Sequence, residues 1–248
     1  MNGDNVQTGT CGFRVSRAEY VRTFSCVEIQ QTFYQPPLVA TLERWRADSP
    51  PEFEYALKAW MLITHESRSP TYRRLKRKLT EEEAEEVGSF KWTAVVREAW
   101  DVTLACARAL RSRAVLFQCP ASFAPTKTNL KRLEKFFTKV ERDGLQFAWE
   151  PRGAEWGADT VRAACRDLNL RHAVDPFAGR TVTPGAPYFR LHGRRGWRYR
   201  YEDGELEELA SMLPDGGDEG ARPYVFFNNI HMTEDALRFR EILRASRL

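Results

Sequence analysis

The sequence predicts an α/β protein built as a single eight-stranded (β/α)8 barrel. The chain has 248 residues, and about 250 is the usual size of this barrel. Eight short β-rich runs alternate with amphipathic helical stretches, as a parallel sheet requires. Nearly every run ends in a polar residue, whereas the starts are mostly apolar or ordinary turn residues. Because catalytic side chains gather at the carboxyl ends of barrel strands, this asymmetry indicates a functional face.

The predicted strands are bounded by Gly, Pro, Asn or charged residues and cover 6–11, 25–30, 53–59, 114–119, 145–150, 170–175, 187–192 and 222–229. The predicted helices follow the helical period and cover 38–46, 93–110, 129–141, 159–168, 205–213 and 233–244. The connection after the first strand and the stretch 177–185 show no full helix. Between the third and fourth strands, about 64–88, we predict an inserted basic helical segment. With no low-complexity linker or long repeat, we expect 1–248 to form one domain.

The composition, 42% hydrophobic and 29% charged, is typical of a soluble globular protein. No apolar run approaches the roughly 18 residues of a membrane span. The start Met-Asn-Gly-Asp-Asn lacks the features of a signal peptide, so we expect a cytoplasmic protein with no membrane partner. The five cysteines are scattered and form no Cys-x-x-Cys pair, so we interpret most as small core residues. A net charge of +4 is too small to indicate nucleic-acid binding by itself.

Period-two alternation predicts which polar side chains face inward at the strand ends. It selects Glu28, Lys58, Gln118, Glu150, Asp175, Arg190, His192 and Asn228. Three carboxylates close to a lysine and an arginine would perturb one another's pKa values, as general acid–base catalysis needs. The competing interpretation is that these charges form ion pairs that only stabilise the barrel interior.

Several segments together resemble the domain-of-unknown-function-72 family. These segments are Thr8-Gly-Thr-Cys-Gly-Phe, Val27-Glu-Ile-Gln-Gln-Thr-Phe-Tyr, Ala56-Leu-Lys-Ala, Ile63-Thr-His, Leu116-Phe-Gln-Cys-Pro, Tyr188-Phe-Arg-Leu-His-Gly and Tyr224-Val-Phe-Phe-Asn-Asn. The resemblance runs through almost the whole chain and implies a barrel of the triosephosphate-isomerase type. It also implies that the polar residues characteristic of the family are the eight residues that alternation selects, together with Tyr34.

We hypothesise an enzyme of the hydrolase or lyase/isomerase type that acts on an anionic, phosphate-bearing substrate. The expected catalytic residues are Glu28, Lys58, Glu150, Asp175 and His192; the expected substrate-binding residues are Tyr34, Gln118, Arg190, Asn228, Arg194, Arg195, Trp197 and Arg198. Two variants stay open. Lys58 could form a Schiff base, although nearby carboxylates would keep its amine protonated. Glu28 and Glu150 could act as a glycosidase pair, although Asn228 rather than an acid ends the eighth strand.

The sequence assigns no metal ligand and no cofactor. There is no His-x-His or His-Glu-x-x-His spacing among the four histidines, so a divalent metal has no support from ligand spacing. No glycine-rich phosphate loop or dinucleotide fingerprint is present. The sequence gives no indication of the oligomeric state.

The alternative hypothesis is nucleic-acid binding or processing, which two clusters suggest. Residues 68–78 are rich in Arg and Lys, and 194–201 alternate arginines with Trp197, Tyr199 and Tyr201. Such alternation suits phosphate contacts combined with base stacking. The competing interpretation is a lid packed by cation–π contacts. A third class, a noncatalytic scaffold, is suggested only by tryptophans at helical positions.

Overall fold

The computed structural model describes residues 6–214 and 222–245, so the ends of the predicted 1–248 domain and 215–221 lie outside the described residues. Eight strands follow one another in chain order around a closed barrel. The strands are β1 (Gln7–Cys11), β2 (Cys26–Ile29), β3 (Glu54–Lys58), β4 (Ala114–Gln118), β5 (Gln146–Glu150), β6 (Arg171–Val174), β7 (Tyr188–Leu191) and β8 (Tyr224–Phe227). The predicted fold class is confirmed, and each strand is shorter than predicted by one to four residues.

The helices lie between the strands, as expected for this fold. They are α1 (Arg17–Thr23), α2 (Gln31–Tyr34), α3 (Val39–Ala47), α4 (Met61–Thr64), α5 (Glu81–Glu86), α6 (Ala94–Leu110), α7 (Lys127–Lys139), α8 (Ala158–Asp167), α9 (Asp203–Ser211) and α10 (Met232–Ala245). All six predicted helices are present, and the connection after β1 also holds the short α1. None of the helices in the described part of the chain is both long and apolar enough to cross a bilayer.

The inserted basic helical segment predicted at about 64–88 is not confirmed. A short 3₁₀ helix, Pro70–Arg74, and the acidic α5 are the helical elements of this stretch. The basic residues Lys76, Arg77 and Lys78 lie in the loop between them. The sequence explains this arrangement, because Thr80 caps α5 through a capping box with Glu83 and so starts the helix after the basic residues.

The chain divides into two compact units. Unit 1 consists of Met1–Glu28, Pro50–Glu54 and His172–Leu248, and unit 2 of Ile29–Ser49 and Tyr55–Arg171. The single-domain organisation stays a prediction.

Unit 1 carries the parallel pairs β1–β2, β1–β8, β6–β7 and β7–β8. Strand β1 approaches β2 so closely that a Cβ atom at Gly9 would lie 2.2 Å from the Cys26 carbonyl oxygen. Glycine is therefore required at this position. In β7 and β8 the four registered residues of each strand are buried, which is typical of parallel strands that are covered on both faces.

Unit 2 carries the pairs β3–β4 and β4–β5 and an aromatic core. Phe117 of β4 and Phe147 of β5 have ring centroids 5.2 Å apart. Trp100 of α6 and Phe136 of α7 pack on Phe117 at centroid distances of 5.8 Å in both cases. This core fixes the positions of the strands whose carboxyl ends carry the polar residues described next. The five cysteines are free and buried, as predicted.

Candidate functional site

Three of the predicted site residues end successive strands of unit 2. Lys58, Gln118 and Glu150 are the last residues of β3, β4 and β5. Gln118 is in register with Glu150, and the amide of Cys119 donates to the Glu150 carbonyl oxygen at 2.9 Å. Because the strands are parallel, these side chains share one edge of the sheet.

Lys58 is nearly buried, with 6% of its surface exposed. Its Nζ lies 3.6 Å from the centroid of the Phe33 ring, which is a cation–π contact that favours the charged amine. The hydroxyl of Thr32 donates to the Lys58 carbonyl oxygen at 2.7 Å. Helix α2 thus holds both the backbone and the ammonium group of Lys58 in place.

His65 is a site residue that the strand-end pattern missed. It follows α4 directly, is 6% exposed, and packs edge-to-face on Phe33 at a centroid distance of 4.9 Å. Burial, reinforced by the positive charges of Lys58 and Arg152, lowers the pKa of His65 to about 3. The imidazole is therefore neutral at physiological pH. The one sequence signal was its place in the Ile63-Thr-His segment that carries the family resemblance.

Glu150 is 6% exposed and is bound by Arg152. Both Nε and Nη2 of Arg152 lie 2.8 Å from Glu150 Oε1. We call Lys58, His65, Glu150 and Arg152 the Lys58 cluster. It holds two cations, one carboxylate and a neutral histidine.

Tyr34 lies beside this cluster on α2. Its ring contacts that of Phe33 at 4.9 Å, and the guanidinium carbon of Arg74 lies 3.5 Å from its centroid. Farther along the basic stretch, Arg77 pairs with Glu83 and Glu98. Part of the predicted basic cluster is therefore engaged in contacts within unit 2.

Unit 1 brings together Glu28 and Arg190 in a buried ion pair, with 0% and 1% of their side chains exposed. Arg190 donates from Nε to both carboxylate oxygens at 3.1 Å and from Nη2 to Oε1 at 2.8 Å. The Tyr188 hydroxyl donates to Oε2 at 2.7 Å, and the Cys11 thiol donates to Oε1 at 3.2 Å. We call Cys11, Glu28, Tyr188 and Arg190 the Glu28 group.

The pKa of Glu28 results from opposing effects. Burial alone would raise it, but the charge of Arg190 and the hydrogen bonds from Arg190, Tyr188 and Cys11 lower it below the ordinary glutamate value. Glu28 is therefore ionised, and its negative charge balances the positive charge of Arg190. This geometry favours a structural ion pair, and the predicted catalytic role of Glu28 and substrate-binding role of Arg190 stay predictions.

Asp175, His192 and Asn228 also come together in unit 1. The His192 amide donates to Asp175 Oδ2 at 2.8 Å, and Asn228 Nδ2 lies 3.1 Å from His192 Nδ1. The other oxygen of Asp175 accepts from the Phe177 amide at 3.1 Å. The Asp175 carboxylate therefore holds the two backbone turns that follow β6 and β7.

The loop after β7, residues 193–201, is fixed at both ends. The Gly193 amide donates to the hydroxyl of Tyr201 at 2.8 Å, and Tyr201 is 1% exposed. Arg194 pairs with Glu205 of α9 at 3.0 Å, and its guanidinium carbon lies 4.9 Å from the Phe177 centroid. These contacts agree with the lid interpretation for this part of the loop.

The tip of the same loop is exposed. Trp197 has 57% of its surface exposed, and the guanidinium carbon of Arg198 lies 5.4 Å from its ring centroid. Arg195 and Arg198 are exposed as well. The backbone below Trp197 is held, because its carbonyl oxygen accepts from the Ile230 amide at 2.7 Å.

The described residues contain no group of three or more His, Cys, Asp or Glu side chains placed to hold a metal ion.

A family model described as "Protein of unknown function DUF72" matches residues 12–248. The chain belongs to the DUF72 family. No curated protein matches this DUF72 chain.

Solved structures support the same fold. A DUF72 protein from Enterococcus faecalis V583 is 21% identical, with a TM-score of 0.73 over 96% of this chain and 97% of that one. A DUF72 protein from Thermotoga maritima MSB8 is 20% identical, with a TM-score of 0.66 over 96% and 99% of the two chains. An AP endonuclease of family 2 from Brucella melitensis is 13% identical, with a TM-score of 0.55 over 94% and 97%. At these identities the similarity shows the fold alone.

Proposed function

We propose that this chain is an enzyme that binds an anionic, phosphate-bearing substrate at the Lys58 cluster and acts on it by general acid–base chemistry. The observation that carries the proposal is the neutral His65 next to two cations. Burial lowers the pKa of that ring, and Lys58 and Arg152 lower it further, so both charges lie close enough to act on it. One carboxylate, Glu150, accompanies them, and the cluster has an excess of positive charge.

A positive, partly buried cluster favours a compact anion. Lys58, His65 and Glu150 are each 6% exposed and the Arg152 side chain is 41% exposed, so an anion bound there would be partly removed from water. Charge interactions strengthen as the surrounding dielectric constant falls. Phosphate groups match such sites because they accept several charge-assisted hydrogen bonds at once.

Glu150 is the group of this cluster best suited to move a proton. It ends β5, and the carboxyl ends of barrel strands are where catalytic groups lie. Arg152 bonds one of its oxygens, Oε1, and orients the carboxylate. Schiff-base chemistry at Lys58 is disfavoured, because the Phe33 ring stabilises the protonated amine rather than the nucleophilic free base.

Binding of inorganic phosphate and of a panel of sugar phosphates, measured by calorimetry, tests the proposal. We expect phosphorylated compounds to bind more tightly than their unphosphorylated analogues. Lys58→Met and Arg152→Gln should each weaken binding by about 10-fold or more, the usual effect of removing a charge-assisted hydrogen bond.

Arg108→Gln is the matched control. Arg108 pairs with Glu141 and Asp143 at the end of α6 and is not part of the cluster, so the variant should bind phosphate as the wild type does. Equal binding of phosphorylated and unphosphorylated compounds, or unchanged binding in Lys58→Met, would contradict the proposal.

The tip of the loop 193–201 favours a second function, nucleic-acid binding. An exposed Trp197 next to Arg195 and Arg198 offers a stacking surface between phosphate-binding groups. Arg194 is less suited to this role, because it pairs with Glu205 and Glu208.

Binding of labelled single- and double-stranded oligonucleotides at two salt concentrations tests this second function. We expect Arg195→Ala/Arg198→Ala to weaken binding and to reduce the salt dependence by about one unit of slope for each lost phosphate contact. Arg162→Ala/Arg166→Ala, on α8, removes the same charge elsewhere and serves as the control. No binding at low salt would exclude the second function.

A further inference from the structure

His65 offers a ligand one ring nitrogen. Its Nδ1 lies 2.8 Å from the Thr64 hydroxyl oxygen, whereas Nε2 has no hydrogen-bond partner among residues 6–214 and 222–245. The ring is fixed by its edge-to-face contact with Phe33. Its backbone is fixed as well, because the Tyr72 hydroxyl donates to the His65 carbonyl oxygen at 2.7 Å. The ring is thus rigidly placed with Nε2 unused by the protein.

The backbone around His65 is tightly packed. A Cβ atom at Gly88 would lie 2.4 Å from both the carbonyl carbon and the carbonyl oxygen of His65. The Gly88 backbone also has a φ of +80°, which glycine adopts without strain. The segment before α6 therefore packs directly against the His65 backbone, and the residue has little freedom to move.

The charged and titratable groups around the ring come from four elements. Lys58 on β3 and Arg152 after β5 are the cations that act on it, and Glu150 on β5 is bound to Arg152. Glu66, on the stretch after α4, is bound by Ser89 and pairs with Arg68, while Tyr72 of the 3₁₀ helix uses its hydroxyl on the His65 backbone. Lys58 and Arg152 therefore add a positive field at the ring to the effect of its burial.

An anion in the Lys58 cluster reverses this field. Negative charge next to the ring favours the imidazolium form, whereas the cations alone disfavour it. The Thr64 hydroxyl suits both forms, because it can donate to a bare Nδ1 or accept from a protonated one. Apart from the added proton, at most a rotation of this hydroxyl is needed to pass from the neutral ring to the charged ring.

Resting on the proposed function, we propose that His65 contacts the bound anion through Nε2 and takes up one proton from solvent as the anion binds. In the resulting imidazolium, Nε2–H donates to an anion oxygen and Nδ1–H donates to the Thr64 hydroxyl. The proton adds to the nitrogen lone pair of the neutral ring, and no other bond forms or breaks. Anion binding and protonation of His65 are then mutually favourable.

Calorimetric titration with inorganic sulfate tests this inference. Sulfate is a tetrahedral dianion, like phosphate, whose own charge stays constant between pH 5 and pH 7. Titrations at pH 6 in two buffers of different ionisation enthalpy give the number of protons taken up. We expect the wild type to take up close to one proton and to bind sulfate more tightly as the pH falls, by up to about tenfold per pH unit.

The His65→Gln variant distinguishes the contact between the side chain and the anion from the uptake of a proton. Its side-chain amide can donate to the anion from nearly the position of Nε2 but does not titrate, so the variant should bind sulfate with no proton uptake and little pH dependence. His65→Asn, whose amide reaches only the position of Nδ1, should bind several-fold more weakly than His65→Gln. The exposed His231 provides the control, because His231→Gln should leave proton uptake unchanged.

The outcomes distinguish the inference from the proposed function. Sulfate binding without proton uptake, or with the same uptake in His65→Gln, overturns the inference and leaves the proposed function intact. If neither sulfate nor phosphate binds, both are overturned. Should the His65 variants fail to fold, an NMR pH titration of the wild-type histidine side chains decides instead. Sulfate must raise the pKa of His65, and an unchanged pKa overturns the inference.

Discussion

The Glu28 group and the Lys58 cluster both place buried charges at the carboxyl ends of strands, yet they use those charges differently. In the Glu28 group one carboxylate receives hydrogen bonds from Arg190, Tyr188 and Cys11, and the ion pair is 0% and 1% exposed. In the Lys58 cluster burial, together with the two cations, keeps a histidine neutral.

The difference shows how the same residue types can have a structural role in one place and a functional role in another. A buried carboxylate whose oxygens already accept hydrogen bonds from the protein has little capacity to bind a substrate. In the Lys58 cluster, Nε2 of His65 has no hydrogen-bond partner in the part of the chain that the structure describes, so this nitrogen can bind a ligand. The test of this comparison is whether changes in the Glu28 group affect stability while changes in the Lys58 cluster affect binding.

The largest expected effect is the loss of stability in Glu28→Gln. The substitution leaves the Arg190 guanidinium buried without its counter-charge, and breaking a buried pair in this way costs about 3–5 kcal/mol of the free energy of unfolding. Urea denaturation at pH 7 measures the change. Arg108→Gln, which breaks an exposed pair, should be far less destabilising. A cost for Glu28→Gln as small as that of the control would mean that the Glu28 group is not a structural element.

A smaller loss is expected for Tyr188→Phe. The hydroxyl donates to Glu28 Oε2 at 2.7 Å in a fully buried setting, and a hydrogen bond to a charged group is worth about 1.5–3 kcal/mol. Arg190 keeps its counter-charge in this variant, so the cost should stay below that of Glu28→Gln. Denaturation of the two variants side by side measures the difference. Tyr199→Phe, which removes a more exposed bond to Glu205, is the control.

The strands were predictable from the sequence because their signal is local. In β4, for example, four apolar residues are followed by Gln118, and neither neighbouring strand is needed to recognise it. The alternation of inward and outward side chains also predicted which polar residues lie at the strand ends. It did not predict their partners, because Glu28 and Arg190 are 162 residues apart in the chain and only the closed barrel brings them together.

Tyr188, Arg152 and His65 were not predicted as members of these two groups, for different reasons. Tyr188 lies on the same face of β7 as Arg190, but it begins the strand, whereas the prediction was restricted to strand ends. Arg152 lies two residues beyond the end of β5. His65 follows a four-residue helix rather than a strand, so period-two alternation does not reach it. Its lowered pKa depends on its burial and on Lys58 and Arg152, and no local pattern indicates either.

The smallest expected effect is a pH dependence of stability that belongs to His65 alone. Its pKa is about 3 in the folded protein against an ordinary value of 6.5. The unfolded chain therefore binds this proton more tightly, and the stabilisation present above about pH 6.5 is lost progressively down to about pH 3. Between pH 7 and pH 5 the loss should be about 2 kcal/mol. Glu28 stays ionised over that range, because its folded pKa is lowered.

Denaturation of the wild type and of His65→Gln at pH 7 and pH 5 isolates this contribution. The difference in unfolding free energy between the two proteins should shrink by about 2 kcal/mol on going to pH 5, because the glutamine variant carries no such proton. His231→Gln, which alters an exposed histidine, should follow the wild type at both pH values. Parallel behaviour of His65→Gln and the wild type would mean that His65 titrates normally. The burial and the nearby cations that separate the Lys58 cluster from the Glu28 group would then not act on this ring.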